Sequence, residues 1–157
     1  MDADPFDEAE FFRAIAQSGA RSLLIGRRAL IALGLPVMTQ DYDFWTHRDD
    51  ITLLNDAVKH LELYPTRSAE EARVAGRYVL ENGEHVDVLV ARQVSTIDGE
   101  HVRFDDVWER RETVDVGSGA RLALPSIDDL IATKRFAARP KDAEDIRLLR
   151  ALKESRR

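Results

Sequence analysis

The chain has no cysteine among its 157 residues, so neither a disulfide framework nor a thiolate zinc site is open to it. Its four histidines, His47, His60, His85 and His101, fall at no ligand spacing. No apolar run approaches the ~20 residues of a membrane span. The opening residues, MDADPFDEAEFF, lack the basic segment and apolar core of a signal peptide, so the expectation is a cytoplasmic protein with no membrane partner. Internal repeats and low-complexity segments are missing too. Basic charge is not in excess: the net charge is -6. That argues against a broadly basic nucleic-acid surface, while leaving room for a local cationic groove that holds a phosphate chain.

What is present is the composition of a folded globular protein, 44% hydrophobic and 33% charged, long enough to bury a core as one domain over residues 1–157. The organising stretch is Leu23 to Trp45. An apolar run, Leu23-Leu24-Ile25, is too short for a confident helix and stops at Gly26, which predicts a buried strand over 21–25. Arg27 to Leu33 reads as a helix closed by Gly34 and Pro36. A second strand over 39–45 then carries two carboxylates one residue apart. Alternate strand residues share a face, so Asp41, Asp43 and Trp45 are expected on one side and Tyr42 and Phe44 on the other.

Elsewhere, residues 7–17 form an amphipathic helix with Phe11, Phe12, Ile15 and Ala16 on its stripe. Residues 50–61 repeat apolar positions at helical spacing, capped by Asp49 or Asp50. Arms over 73–80 and 85–90 flank Asn82-Gly83, a hairpin signal. On the second arm Val86, Val88 and Val90 share a face, which leaves Asp87 on the other as a lone acid. Short strands follow near Val114 and over 121–124. Ser126 with Asp129 resembles a capping box at the start of a helical C-terminal part, 126–155. Its last helix, from Lys141 to about Glu154, should bury Ile146, Leu149 and Leu152.

Asp41, Asp43 and Asp87 thus form a candidate set. Hard divalent cations take oxygen ligands, and Mg²⁺ is usually held by one or two carboxylates plus substrate phosphates. Such acids can hold ions that neutralise charge on a triphosphate while a hydroxyl attacks the α-phosphate. The bland alternative makes Asp41 a turn residue, Asp43 a strand-end acid and Asp87 an exposed edge-strand acid. A calcium loop of the EF-hand type fails, because Trp45 and Thr46 stand where an oxygen ligand and a glycine would be needed. A nucleotide-sugar transferase would usually be a much longer chain.

Gly26, Ala29, Gly34, Thr39-Gln40-Asp41-Tyr42-Asp43, and His85-Val86-Asp87-Val88-Leu89, followed by Lys134, Arg139, Lys141-Asp142 and Asp145, resemble the motifs of the DNA polymerase β-type nucleotidyltransferases. The similarity is strongest to small bacterial members related to the abortive-infection toxins of type IV toxin-antitoxin systems. The resemblance implies an α/β nucleotidyltransferase fold with a mixed, mostly antiparallel sheet flanked by helices. It implies Mg²⁺- or Mn²⁺-dependent transfer of a nucleoside monophosphate from an NTP such as ATP to a hydroxyl on tRNA or other RNA, a protein or a small molecule. Asp41, Asp43 and Asp87 would be catalytic and metal-binding. Gly26, Arg27, Arg28, Thr39, Lys134, Arg139 and Asp142 would bind nucleotide, and a cognate antitoxin-like protein would be a partner. Arg27 stands where the family carries a small residue that lets backbone approach phosphate. A second class therefore stays open: a catalytically weak or inactive module that binds a nucleotide or a partner.

Overall fold

The structure, a computed structural model, describes residues 6–135 and 139–156. Helix α1 (Glu8–Gln17) starts at Asp7, whose side chain accepts the Glu10 N–H, and buries Phe11, Phe12, Ala14 and Ile15. Ala14 replaces the expected Ala16, which is exposed. Strand β1 (Ser22–Ile25) runs into α2 (Gly26–Ala32), and a loop leads to β2 (Tyr42–Thr46). β2 begins one residue after Asp41. That carboxylate sits on the entering loop, where the Asp41 N–H donates to Thr39 Oγ1 at 3.0 Å.

Three expectations over residues 47–81 are corrected. The helix of 50–61 is shorter: α3 spans Ile51–Ala57, with 3₁₀ turns at Arg48–Asp50 and Lys59–Leu61. Asp50 does not cap it, because Arg21 takes both its carboxylate oxygens. The first hairpin arm begins late. Ser68 and Glu71 exchange capping-box hydrogen bonds, which nucleates α4 (Ala69–Ala75) until Gly76, at φ +79°, ends it. After the two-residue strand β3 (Tyr64–Pro65), the hairpin is therefore β4 (Arg77–Glu81) with β5 (His85–Leu89).

The chain continues through a small ladder of β6 (Gln93–Ser95) and β7 (His101–Arg103), then α5 (Phe104–Glu109), β8 (Glu112–Asp115), β9 (Arg121–Leu124), α6 (Ile127–Lys134) and α7 (Pro140–Ser155). The main sheet has seven strands in the order β3-β4-β5-β2-β1-β9-β8. It is mixed: β1 pairs parallel with β9 and β2 with β5, and the other four ladders are antiparallel. None of its helices is long and apolar enough to cross a membrane among the described residues.

One sheet face carries Leu24, Tyr42, Phe44, Val86 and Val88 into the larger core, under Phe11 and Phe12 of α1. The opposite face carries Leu23 and Trp45 into a smaller cluster with Phe104 and Val107 of α5. The Trp45 indole N–H donates to the Ala91 carbonyl at 2.8 Å, so this buried ring leaves no polar atom unsatisfied. We expect Trp45→Ala to cost roughly 3–5 kcal/mol, the usual range for deleting a large core aromatic, with a matching fall in denaturant midpoint at unchanged m-value. α7 departs from its expected stripe. Leu149 is buried, but Ile146 and Leu152 are only partly so, and two acids, Asp142 and Asp145, are buried beside Leu149.

Candidate functional site

β2 and β5 run parallel and in register, Tyr42 opposite Val86, Asp43 opposite Asp87, Phe44 opposite Val88. With the apolar partners turned into the larger core, alternation turns both acids to the other face, so two carboxylates become cross-strand neighbours. They open onto a cavity of about 410 Å³, whose wall also includes Gly26, Arg27, Thr39, Asp41, Thr133, Lys134 and Arg139.

Gly26 makes this geometry possible. Its φ is +69°, and a Cβ built on it would meet Asp43 Oδ2 at 2.7 Å. A side chain there would need both a strained backbone and a displaced carboxylate. Gly26→Ala is therefore expected to lower stability by about 1–3 kcal/mol and to perturb Asp43. Comparing urea unfolding of the variant with that of Gly34→Ala, a glycine also at positive φ but with open space around it, isolates the clash from the backbone strain.

Burial, then the nearby charges of Asp87 and Asp41, push the Asp43 carboxyl up to about 6, despite Lys134 and Lys141 pulling it down. Burial and the neighbouring acids together outweigh the pull of the two lysines on this carboxyl. Asp87 is more open: Arg77 Nη2 donates to its Oδ1 at 3.5 Å, and His85 Nε2 lies 3.4 Å from Oδ2. Asp43 and Asp87, with Asp41 on the cavity wall, suit a hard divalent cation that completes its shell with phosphate oxygens and water. Among the described residues, no group of three or more His, Cys, Asp or Glu side chains is gathered tightly enough to hold a metal by itself.

The remaining predicted residues separate into two groups. Thr39, Lys134 and Arg139 line the cavity with Gly26 and Arg27, whereas Arg28 and Asp142 do not. The Arg28 guanidinium lies over the Tyr42 ring, 4.2 Å from its centroid, and donates to Glu8 and to the carbonyls of Thr39 and Asp41. It pins the acid-bearing loop to α1. Asp142 is buried and accepts both Nε and Nη2 of Arg139, at 2.9 and 3.2 Å, so it aims a cavity residue.

Arg27 has a role that sequence reasoning did not anticipate. Its Nε donates to Asp145 Oδ2 at 3.2 Å, and Nη2 lies 3.1 Å from Oδ1. Lys134 Nζ reaches the same Oδ2 at 2.9 Å. Asp145 is fully buried. Burial alone would raise its carboxyl, but hydrogen bonds from Lys134 and Arg27 win and hold it below the ordinary range. The residue in the place of the usual small one thus ties α2 to α7. Asp145 needs this, because an isolated buried carboxylate is too costly to keep ionised.

Two cavity residues were missed. Arg77 shares the β4 face of Val79, which is opposite Asp87, and alternation would have found it had the strand been started after Gly76. Lys141, named above only as part of the Lys141-Asp142 motif, lines the cavity too, with no side-chain hydrogen bond or ion pair among the described residues.

No protein-family profile matches this sequence, and no curated protein matches it. Solved structures do. A candidate nucleotidyltransferase from Thermotoga maritima superposes with a TM-score of 0.60 at 14% identity, covering 92% of this chain and 89% of its own. The antibiotic-resistance factor ANT(2'')-Ia, in a solution structure concerned with substrate-regulated conformational dynamics, gives 0.57 at 16% identity, covering 94% and 89%. The fold is that of nucleotidyltransferases, a mixed sheet flanked by helices.

Proposed function

We propose that this protein transfers a nucleoside monophosphate from an NTP to an acceptor hydroxyl, with Mg²⁺ or Mn²⁺. The observation that carries the reading is the paired carboxylates Asp43 and Asp87, register partners at a cavity wall, with Asp43 pressed on Gly26 and its carboxyl pushed up to about 6 by burial and by Asp87 and Asp41. Asp43 and Asp87, with Asp41, would hold the cation, which when bound would draw triphosphate oxygens in and neutralise charge developing on them. Lys141, Lys134 and Arg139, which line the same cavity, would attract the rest of the triphosphate. The acceptor oxygen forms a bond to the α-phosphorus as the bond from that phosphorus to the bridging oxygen breaks, and pyrophosphate leaves with the electron pair. Asp87, the more open carboxylate of the pair, is placed to take the acceptor's proton.

Incubation with Mg²⁺ and each α-labelled NTP tests this. Label should appear on RNA, on protein or on a small molecule, with pyrophosphate released in equal amount. No transfer to any acceptor class, together with no NTP binding, would defeat the proposal.

The Arg27 guanidinium, fixed to Asp145 at the cavity wall, favours the second reading of a module that binds nucleotide without turning it over. Arg27→Gly separates the two. If the guanidinium obstructs, the variant gains NTP affinity or transfer. If it is a working contact to phosphate, the variant loses roughly 1.5–3 kcal/mol of NTP binding. Calorimetric titration with and without Mg²⁺ reads either change. A place in a toxin-antitoxin pair, with a cognate protein partner, is supported by the sequence resemblance.

A further inference from the structure

Beyond Trp45 and Leu89 the same two strands lead to a second cavity, of about 280 Å³, where the chain leaving β2 and the chain leaving β5 meet the start of α5. Its wall carries three arginines: Arg48 after β2, Arg92 after β5 and Arg103 at the end of β7. Strand pairing brings two of them together, since the Phe104 N–H donates to the Arg92 carbonyl at 2.9 Å. Guanidinium groups in this protein are usually spoken for. Arg21 holds Asp50, Arg110 holds Asp129, Arg139 holds Asp142, and Arg135 holds Asp98. Among the lysines and arginines of the described residues, only Arg48, Arg92, Arg103, Arg150 and Lys141 have a side chain without a hydrogen bond, ion pair or ring contact. Three of these five share this one cavity.

Two carboxylates also line it, Asp49 and Asp105, on either side of His47. His47 Nδ1 accepts the Asp49 N–H at 3.0 Å and lies 3.8 Å from the Asp49 carboxylate, while Nε2 lies 3.6 Å from Asp105 Oδ1. The side chains of Asp49 and Asp105 are mostly exposed, 69% and 73%, so water screens them. The three arginines remain a set of forked donors, none of them ion-paired to either carboxylate. A planar fork matches phosphate oxygens two at a time.

We infer that this cavity is a second anion site, which takes a backbone phosphate of a single-stranded oligonucleotide. Extended chain from Asp43 to His47 covers roughly 13 Å at 3.3 Å per residue, so the two cavities lie within a few nucleotides' reach of each other. Arg92 and Arg103 are exposed, as suits a ligand that passes over the surface. An acceptor carrying positive charge would be repelled. This inference rests on the proposed transferase activity for its meaning, since it chooses a nucleic acid among the acceptor classes, but binding can be measured without that activity.

The experiment is fluorescence anisotropy of an end-labelled single-stranded oligoribonucleotide with the full chain, in the absence of NTP and divalent metal, over a series of salt concentrations. Wild type should bind, with log affinity falling linearly against log salt. The double variant Arg92→Ala/Arg103→Ala should bind at least about tenfold more weakly and flatten that slope by about two. Neither side chain has a partner to lose, so the variant should melt as wild type does. Its NTP affinity at the other cavity should also be unchanged. Equal oligonucleotide affinity and slope in variant and wild type, or no binding by wild type, overturns the site. Inorganic phosphate displacing the oligonucleotide at equal molar concentration overturns the nucleic-acid assignment. Transfer that fails while oligonucleotide binding and its arginine dependence hold would reject the transferase reading and leave this one standing.

Discussion

Asp145→Ala is expected to destabilise the protein by about 3–5 kcal/mol, the cost of leaving a buried charge without its partner. Asp145 is fully buried, Lys134 nearly so, and Arg27 is a quarter exposed. Removing the carboxylate strands an ammonium in the interior and loosens α2 and α6 from α7 together. Urea unfolding should show the loss as a lower midpoint. The double variant Asp145→Ala/Lys134→Met should recover much of it, because deleting both members of a buried pair in favour of apolar groups is far less costly than deleting one. If the single and double variants unfold alike, the network is not what anchors α7. A functional readout accompanies this. Lys134 lines the cavity of the paired carboxylates, so a change in NTP affinity that follows Lys134 rather than overall stability marks it as a phosphate contact in the proposed reaction.

Asp43→Asn should have opposite effects on activity and on stability. In the proposed reaction it removes a cation ligand, a loss of several kcal/mol of charge stabilisation, or roughly a thousandfold in transfer at 1.36 kcal/mol per decade. In the metal-free protein it should stabilise. The carboxyl is raised from an ordinary 3.8 to about 6, first by burial and then by Asp87 and Asp41. Between those two values the folded state holds a proton that the unfolded state has released. Stability therefore falls as pH rises across that window, and the penalty is fully present above it. At 1.36 kcal/mol per pH unit the difference is at most about 3 kcal/mol. Wild type should lose about 2 kcal/mol relative to Asp43→Asn between pH 4 and pH 6, and nearly the full difference between pH 3 and pH 8, as measured by chemical unfolding without divalent metal. Adding Mg²⁺ above pH 7 should raise the wild-type midpoint and leave that of Asp43→Asn nearly unchanged. Parallel pH profiles for the two proteins, or an equal response to Mg²⁺, would remove Asp43 from the metal site.

Local pattern alone determined much of this molecule. The apolar run before Gly26, the Asp-x-Asp spacing, and the lone Asp87 among alternating valines placed three strands and the faces of Asp43 and Asp87, because strand periodicity is a property of the chain itself. The Ser126 cap and the Asn82-Gly83 hairpin were legible for the same reason. Sequence did not reveal that β2 and β5 are parallel neighbours in the register that sets Asp43 against Asp87. That pairing joins segments 44 residues apart and is fixed by the packing of both faces. Nor could it show the fate of charged side chains. Arg27 and Arg28 look alike beside Gly26, yet one goes to a buried aspartate on α7 and the other to Tyr42 and Glu8. Asp142 and Asp145 sit in a charged helix, where local pattern fits a solvated face, yet both are buried with Leu149. A charge enters the interior only where a distant segment brings its partner, and no local pattern records that meeting.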